Sequence, residues 1–310
     1  MAVVSLKKIL IIAGPTASGK SRLALYLAQK YNGIIINADA LQLYKYIPII
    51  SAQPSEEDLL SAEHRLYSIL EPDKLHSVGS FLKLAINEIN NSFDQNKLPI
   101  IVGGTGLYIR SLIYGLAEIP EISQNIREEV RNQYNIIGAE LFYDYLVKLD
   151  PKVMGIIRNT DKQRMMRALE VVKQTDKSII DWQKHEAVSY YDKKQFTQII
   201  LMPERNYLYN NCNIRFSHMI KKGALIEIKN LVEKNIKIDA IKKAIGVMEI
   251  IQYMESIIEL SELIALGQQR TRNYAKRQIT WFRHQLPEAI YISYSNYDEL
   301  INVIRNTKLL

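Results

Sequence analysis

Apolar and polar positions follow two different periods along this chain. In the first hundred residues, short β-rich runs alternate with segments of helical spacing. KKILIIAG (7–14) reads as a strand, and SGKSRLALYLAQKY (18–31) follows with Leu23, Leu27 and Tyr31 on one helical face. GIIINAD (33–39) is a second strand ending at Asp39, and LPIIVGG (98–104) is a third, entered through Pro99. Between them HSVGSFLKLAINEINNSF (76–93) is an amphipathic helix with its cap at Ser77 or Ser80. This β-loop-α rhythm predicts a parallel sheet covered by helices. Ligands of such sheets gather at the carboxyl ends of the strands, which puts residues 14–21, Asp39 and residues 103–105 on one rim.

From about residue 120 to 185 the strand pattern vanishes. EISQNIREEVRNQY (121–134), GAELFYDYLVKL (138–149) and DKQRMMRALEVVKQT (161–175) are all helical patterns. TQIILMP (197–203) and AIYIS (289–293) restore the strands in an otherwise helical remainder. The economical reading is an α/β core of residues 1–119 and 186–310 interrupted by a helical insertion of residues 120–185.

Composition narrows this little. Apolar content of 47% and charged content of 24% are ordinary for a globular protein, and no apolar run approaches the roughly 20 residues that span a bilayer. The single cysteine, Cys212, excludes an intramolecular disulfide and a cysteine-built zinc site, and points to a reducing cytoplasm. A net charge of +7 suits a polyanionic partner but equally suits a biased genome, so its distribution matters more than its total.

The distribution of chemistry is uneven. GPTASGKS (14–21) fits the phosphate-loop pattern between a strand and a helix, the context that the motif requires. Gly14 and Gly19 permit the turn, inward N–H groups make an anion cradle, Lys20 adds charge and Ser21 can hold Mg²⁺. A nucleotide hydrolase would add an acidic strand end to position water, yet the third strand ends in VGGTGLY. Asp39 is left as a Mg²⁺ ligand, a proton acceptor or a helix cap. Thr105, after two glycines, either approaches a phosphate or caps the helix near Leu107. Residues 268–285, QQRTRNYAKRQITWFRHQ, carry Arg270, Arg272, Lys276, Arg277 and Arg283, with no acid from 267 to 287. Arg272, Lys276 and Arg283 fall within about 40° of one another, with Tyr274 and Trp281 opposite. Such a helix docks by its aromatics and turns a basic face to phosphates. In DKQRMMRALEVV (161–172), Met165, Leu169 and Val172 form an apolar stripe that leaves Gln163, Arg164 and Arg167 on other faces. The histidines, His64 and His185 among them, show no metal-ligand spacing.

GPTASGKS, NADALQLYKY, AEHRLYSILEP, LPIIVGGTGLYIRSLIYGL, DKQRMMRALEV, IRFSHMIKKG and TRNYAKRQITWFR, in this order, resemble the tRNA dimethylallyltransferases over almost the whole chain. The resemblance implies a P-loop NTPase-like core, and a monomer that transfers a dimethylallyl group from dimethylallyl diphosphate to N6 of adenosine 37 in tRNAs reading codons that start with U. The phosphate loop, with Gly14, Thr16, Ala17, Ser18, Gly19, Lys20 and Ser21, would then grip a leaving diphosphate rather than ATP, and needs no water-positioning carboxylate. It also implies Asp39 as general base, Thr105 on the bridging oxygen and Arg215 on the diphosphate. Leu41, Gln42, Gln163, Arg164, Arg167, Arg272, Lys276 and Arg277 become tRNA contacts, and Mg²⁺ on Ser21 the cofactor. Four positions depart from the family pattern: Ala40, Ile50, Gln53 and Val247. The alternatives are transfer to a free adenine nucleotide, a small-molecule kinase and a non-catalytic RNA-binding protein.

Overall fold

Each apolar run of the alternating half becomes a parallel strand. The computed structural model describes residues 7–184, 187 and 189–307. The chain runs β1 (Ile9–Ala13), α1 (Lys20–Tyr31), β2 (Gly33–Asn37), α2 (Glu56–Ser61), β3 (Glu63–Arg65), α3 (Val78–Asp94), β4 (Leu98–Gly103) and α4 (Gly106–Tyr114). Then come α5 (Gln124–Leu149), α6 (Lys162–Thr175), α7 (Ile179–Lys184), β5 (Phe196–Pro203), α8 (Arg205–Met219) and α9 (Leu225–Glu233). α10 (Val247–Met254), α11 (Leu260–Gln285), β6 (Ile290–Tyr294) and α12 (Tyr297–Asn306) complete it.

The six strands form one parallel sheet in the order β3-β2-β4-β1-β5-β6. Strands covered on both faces need apolar residues at every position, which is why β1 reads ILIIA with all five residues buried. On one face Leu10, Ile12, Ile35, Ile100, Ile199 and Ile292 pack with Leu23 and Leu27 of α1 and Leu300 and Ile304 of α12. Each such side chain contributes about 1.5–3 kcal/mol. The edge strand β3, EHR, has no apolar run to announce it. It exists because β2 offers an open edge, pairing Ile34 with Glu63 and Ile36 with Arg65. Its short, charged character blunts that edge.

A second apolar cluster joins Tyr44, Ile47 and Ile50 to α8, α9, α10 and Leu263 of α11. Polar contacts tie α11 to α8 as well. The Gln268 amide donates to the Asn213 carbonyl and Ser217 hydroxyl, and Arg272 Nη1 donates to Asn213 Oδ1 at 2.5 Å.

Two compact units divide the chain. One takes the residues up to Ile113 and from Tyr190 onward, with the sheet; the other is Tyr114–Ser189. The expected insertion was 120–185, and its far boundary at residues 185 and 186 lies outside the described residues, as does His185. Within this second unit, Val130, Phe142, Leu146, Met165 and Leu169 form its core. The two helical patterns of 121–134 and 138–149 make one stretch, α5, that changes direction at Gly138 (φ 74°), a conformation glycine adopts without strain.

Candidate active site

Sheet register brings the expected rim together. Ala13 of β1 lies beside Gly103 of β4, and Val102 beside Asn37 of β2. The segments that leave these three adjacent strands therefore emerge side by side. The first is the phosphate loop, which turns through positive φ at Gly14, Ala17 and Gly19 before α1 begins at Lys20. Lys20 Nζ donates to the Pro15 carbonyl at 2.7 Å, so the ammonium folds back over the loop. The Thr16 hydroxyl accepts from Arg215 of α8, the Ser18 carbonyl accepts from the Tyr294 hydroxyl, and the buried Ser18 hydroxyl has no partner among the described residues.

After β2, fully buried Asn37 shapes the turn: its Oδ1 accepts from Asp39 N at 2.7 Å and its amide donates to the Asp39 and Leu66 carbonyls. Asp39 Oδ1 in turn accepts from Leu41 N at 3.0 Å. The carboxylate thus caps its own turn, and the backbone of both Leu41 and Gln42 favours its charged form. After β4, the Thr105 hydroxyl accepts from Ala40 N at 2.9 Å, while its carbonyl, not its hydroxyl, receives the first amides of α4. The hydroxyl proton of Thr105 remains able to donate.

The loops are spaced by atoms that leave no room. A Cβ on Gly103 would sit 2.1 Å from the Ala38 carbonyl oxygen. One on Gly104 would sit 2.4 Å from Gln278 Nε2 of α11 and 3.6 Å from Asp39 Oδ2. Gln278 bridges the rim: its Oε1 accepts from Thr16 N at 2.8 Å and its Nε2 donates to the Gly104 carbonyl at 2.8 Å. This spends the Thr16 N–H within the protein, leaving the rest of the loop to meet an anion.

Burial and mutual charge perturb the ionisable groups strongly. Burial brings Lys20 down to about 8, against the opposing pull of Asp39 and helped by Arg215. Burial raises Asp39 above the usual carboxylate range, opposed by the Leu41 N–H and by the charges of Lys20 and Arg215. Burial also lowers Arg215. Neither cation forms an ion pair with a carboxylate among the described residues, although charged groups so placed ordinarily have a partner. Tyr67, Tyr108 and Tyr274 are pushed up chiefly by burial, with the charge of Asp39 adding to each and Tyr44 adding more than Asp39 at Tyr108. Asn37, Gln278 and these tyrosines were not singled out in the sequence as site residues, because single polar or aromatic residues in apolar segments carry no spacing signal.

The basic run of α11 is divided between two roles. Arg270 does not belong to a free basic face: its Nη1 is 2.7 Å from Glu249 Oε1 of α10, whose side chain is 1% exposed. The acid absent from the local sequence is supplied from another helix. Arg272 is half-buried and held by Asn213. Lys276, Arg277 and Arg283 remain exposed. Lys276 and Arg277, with Asn273, Thr280 and His284, line a groove of about 630 Å³. Trp281, which lines the same groove, lies so close to Gly106 that a Cβ there would be 2.3 Å from its ring. In the second unit, Gln163 and Arg164 are exposed and Arg167 half-buried; Arg164 pairs with Asp161 at 3.2 Å and Arg167 with Glu170 at 3.5 Å.

The IPP transferase family model matches residues 42–285. The tRNA dimethylallyltransferase of Rickettsia bellii (strain OSU 85-389) is 45% identical over 98% of this chain and 96% of its own. That of Ehrlichia chaffeensis is 43% identical over 97% of this chain and 98% of its own. The chain belongs to the IPP transferase family. Among solved structures, a eukaryotic dimethylallyltransferase acting on tRNA aligns with a TM-score of 0.81 at 26% identity, covering 97% of this chain and 79% of that one. The full-length tRNA isopentenylpyrophosphate transferase of Bacillus halodurans aligns at 0.69 and 31% identity, covering 97% and 95%.

The positions at which this IPP transferase departs from the family pattern serve local structure. Gln53 Nε2 donates to the Tyr44 carbonyl and its Oε1 accepts from Ser68, while Ile50 and Val247 are core residues. Gln42 donates to the Ser51 and Ala52 carbonyls, and Leu41 is half-buried beside it. No cluster of three or more His, Cys, Asp or Glu side chains that could hold a metal occurs among the described residues. The Ser21 hydroxyl is exposed and makes no hydrogen bond there. This sparse oxygen set fits magnesium, which takes one or two protein oxygens and completes its shell with phosphate and water. No helix among the described residues is long and apolar enough to cross a membrane.

Proposed function

We propose that this chain transfers the dimethylallyl group of dimethylallyl diphosphate to N6 of adenosine 37 in tRNAs reading codons that start with U, releasing diphosphate. One observation carries the reading: two desolvated cations without carboxylate partners, Lys20 and Arg215, share a rim with an acid whose pKa burial raises. A diphosphate satisfies the cations, and an amine losing its proton satisfies the acid. The similarity to tRNA dimethylallyltransferases and to a dimethylallyltransferase that acts on tRNA supports an RNA acceptor.

In the reaction, the N6 lone pair forms a bond to C1 of the allyl group while the C1–O bond breaks and its electron pair leaves with diphosphate. The proton of the cationic N6 passes to the Asp39 carboxylate. Burial makes this carboxylate more basic than an exposed one, while the two nearby cations favour its charged form. Negative charge grows on the leaving oxygen. Lys20, Arg215, the loop amides from Ala17 to Ser21 and the Thr105 hydroxyl would stabilise that charge as it develops. Ser21 would hold a magnesium ion, which when bound supplies further neutralisation of diphosphate. Arg272, Lys276 and Arg277 on α11, and Gln163, Arg164 and Arg167 on α6, supply the RNA contacts, with Leu41 and Gln42 beside the target base. The reading includes a cytoplasmic monomer; the one cysteine is a free, buried thiol.

The test is mass spectrometry of nucleosides from unmodified tRNA incubated with the protein, magnesium and dimethylallyl diphosphate, with AMP as a parallel acceptor. N6-dimethylallyladenosine is expected in the tRNA with the unaltered protein. With Asp39→Asn none is expected, while tRNA binding persists. Transfer to AMP alone would end the tRNA reading.

A further inference from the structure

One side chain joins the two halves of the rim. Gln278 is only 6% exposed, and both ends of its amide are used: Oε1 on Thr16 N and Nε2 on the Gly104 carbonyl, each at 2.8 Å. The orientation of the amide is fixed by its partners, since an N–H can only donate and a carbonyl only accept. Beyond Thr16, the hydroxyl of the same residue accepts from Arg215. Beyond Gly104, the next residue is Thr105, whose hydroxyl accepts from the N–H of Ala40, the neighbour of Asp39. A continuous path therefore runs from Arg215 through Thr16, Gln278, Gly104, Thr105 and Ala40 to Asp39. It has one side chain at its centre.

We infer that Gln278 is a positioning residue that sets the separation between the diphosphate side of the reaction centre and its acceptor side. The inference rests on the transfer reaction proposed above. Its physical basis is the demand at this point for a donor and an acceptor on one planar group of fixed length. A glutamate offers two acceptors when ionised, and an asparagine is a methylene short. A methionine of similar shape leaves two buried backbone groups unpaired. The Gly104 backbone is already as close as it can come, since a Cβ there would touch Nε2 at 2.4 Å. Three residues along α11, Trp281 packs on Gly106, so the helix is fixed against the same segment that Gln278 positions.

The test compares Gln278→Met and Gln278→Glu with the unaltered full-length protein. It measures kcat and KM for dimethylallyl diphosphate in tRNA modification, pyrophosphate binding by calorimetry, tRNA binding and thermal midpoints. With Gln278→Met, kcat should fall about 10- to 100-fold, the usual effect of a misplacement near 1 Å, and pyrophosphate should bind several-fold more weakly while tRNA affinity is unchanged. Gln278→Glu supplies the discriminating readout. When protonated, its carboxyl offers one O–H to Gly104 and one carbonyl oxygen to Thr16, reproducing the amide, and burial raises the pH at which it protonates. Its activity relative to the unaltered protein should rise as pH falls from about 8.5 to 6, while the same ratio for Gln278→Met stays flat. Unchanged kcat and KM in Gln278→Met, or no relative recovery of Gln278→Glu in acid, would overturn the inference. If the unaltered protein modifies no tRNA, the transfer reading fails by itself. Pyrophosphate binding then decides for Gln278: weakening in Gln278→Met supports its role and unchanged affinity rejects it.

Discussion

Gly104→Ala tests the spacing of the rim with a single methyl group. The backbone at Gly104 is not in the left-handed region, so alanine meets no conformational barrier. What it meets is Gln278 Nε2 at 2.4 Å, with the Gly14 carbonyl oxygen and Asp39 Oδ2 at 3.5 and 3.6 Å. Ordinary contact begins at 3.4 Å, so the amide must withdraw by 3.4 − 2.4 = 1.0 Å. That lengthens a 2.8 Å hydrogen bond to Gly104 beyond bonding range and pulls on the one from Thr16. Two net hydrogen bonds and their orphaned groups together cost about 2–4 kcal/mol of stability. The accompanying shift of Thr105 and Thr16 should lower kcat about 100-fold. Urea denaturation and initial-rate assays measure both. The decisive comparison is a double-mutant cycle with Gln278→Ala, which removes the atom in the way. In that background Gly104→Ala should cost no more than about 0.5 kcal/mol. If the full cost persists, the clash with Gln278 is not its cause.

Other consequences follow from charge. Lys20, lowered to about 8 without ligand, regains affinity for its proton when an anion arrives, so pyrophosphate binding near pH 8 should take up a proton and weaken as pH rises through that value. Calorimetry in buffers of different ionisation enthalpy reads this, and Lys20→Met should remove that part of the uptake; equal uptake in both proteins would refute it. Arg270→Ala should lower the thermal midpoint by leaving the Glu249 carboxylate buried without its cation, an effect of roughly 1–3 kcal/mol given that Arg270 itself is 56% exposed, and should leave tRNA affinity unchanged. Lys276→Ala and Arg277→Ala should do the opposite, weakening tRNA binding with a shallower salt dependence, by about 0.7–0.9 per lost phosphate contact, at unchanged stability.

The order of β1, β2 and β4, the helices that follow them and the gathering of the phosphate loop, Asp39 and Thr105 at one rim were legible in the sequence. These depend on local period and on a topological rule that holds for any parallel sheet. The residues that make the rim a site were less so. β3 has no apolar period because an open edge of β2, not its own side chains, makes it a strand. Arg270 reads as one more cation of a basic helix until Glu249 arrives from residues 21 positions earlier. Gln278 sits in a run of charge and aromatics with nothing to distinguish it from a solvated glutamine.

What the sequence determined by itself was the inventory of chemistry: an anion loop, one acid, one hydroxyl, and a helix rich in arginine and lysine. Which cations stay unpaired and which amide spans Thr16 and Gly104 were decided only by the tertiary structure. Burial and pairing are properties of what surrounds a group, and those surroundings come from segments as far apart as residues 16 and 278.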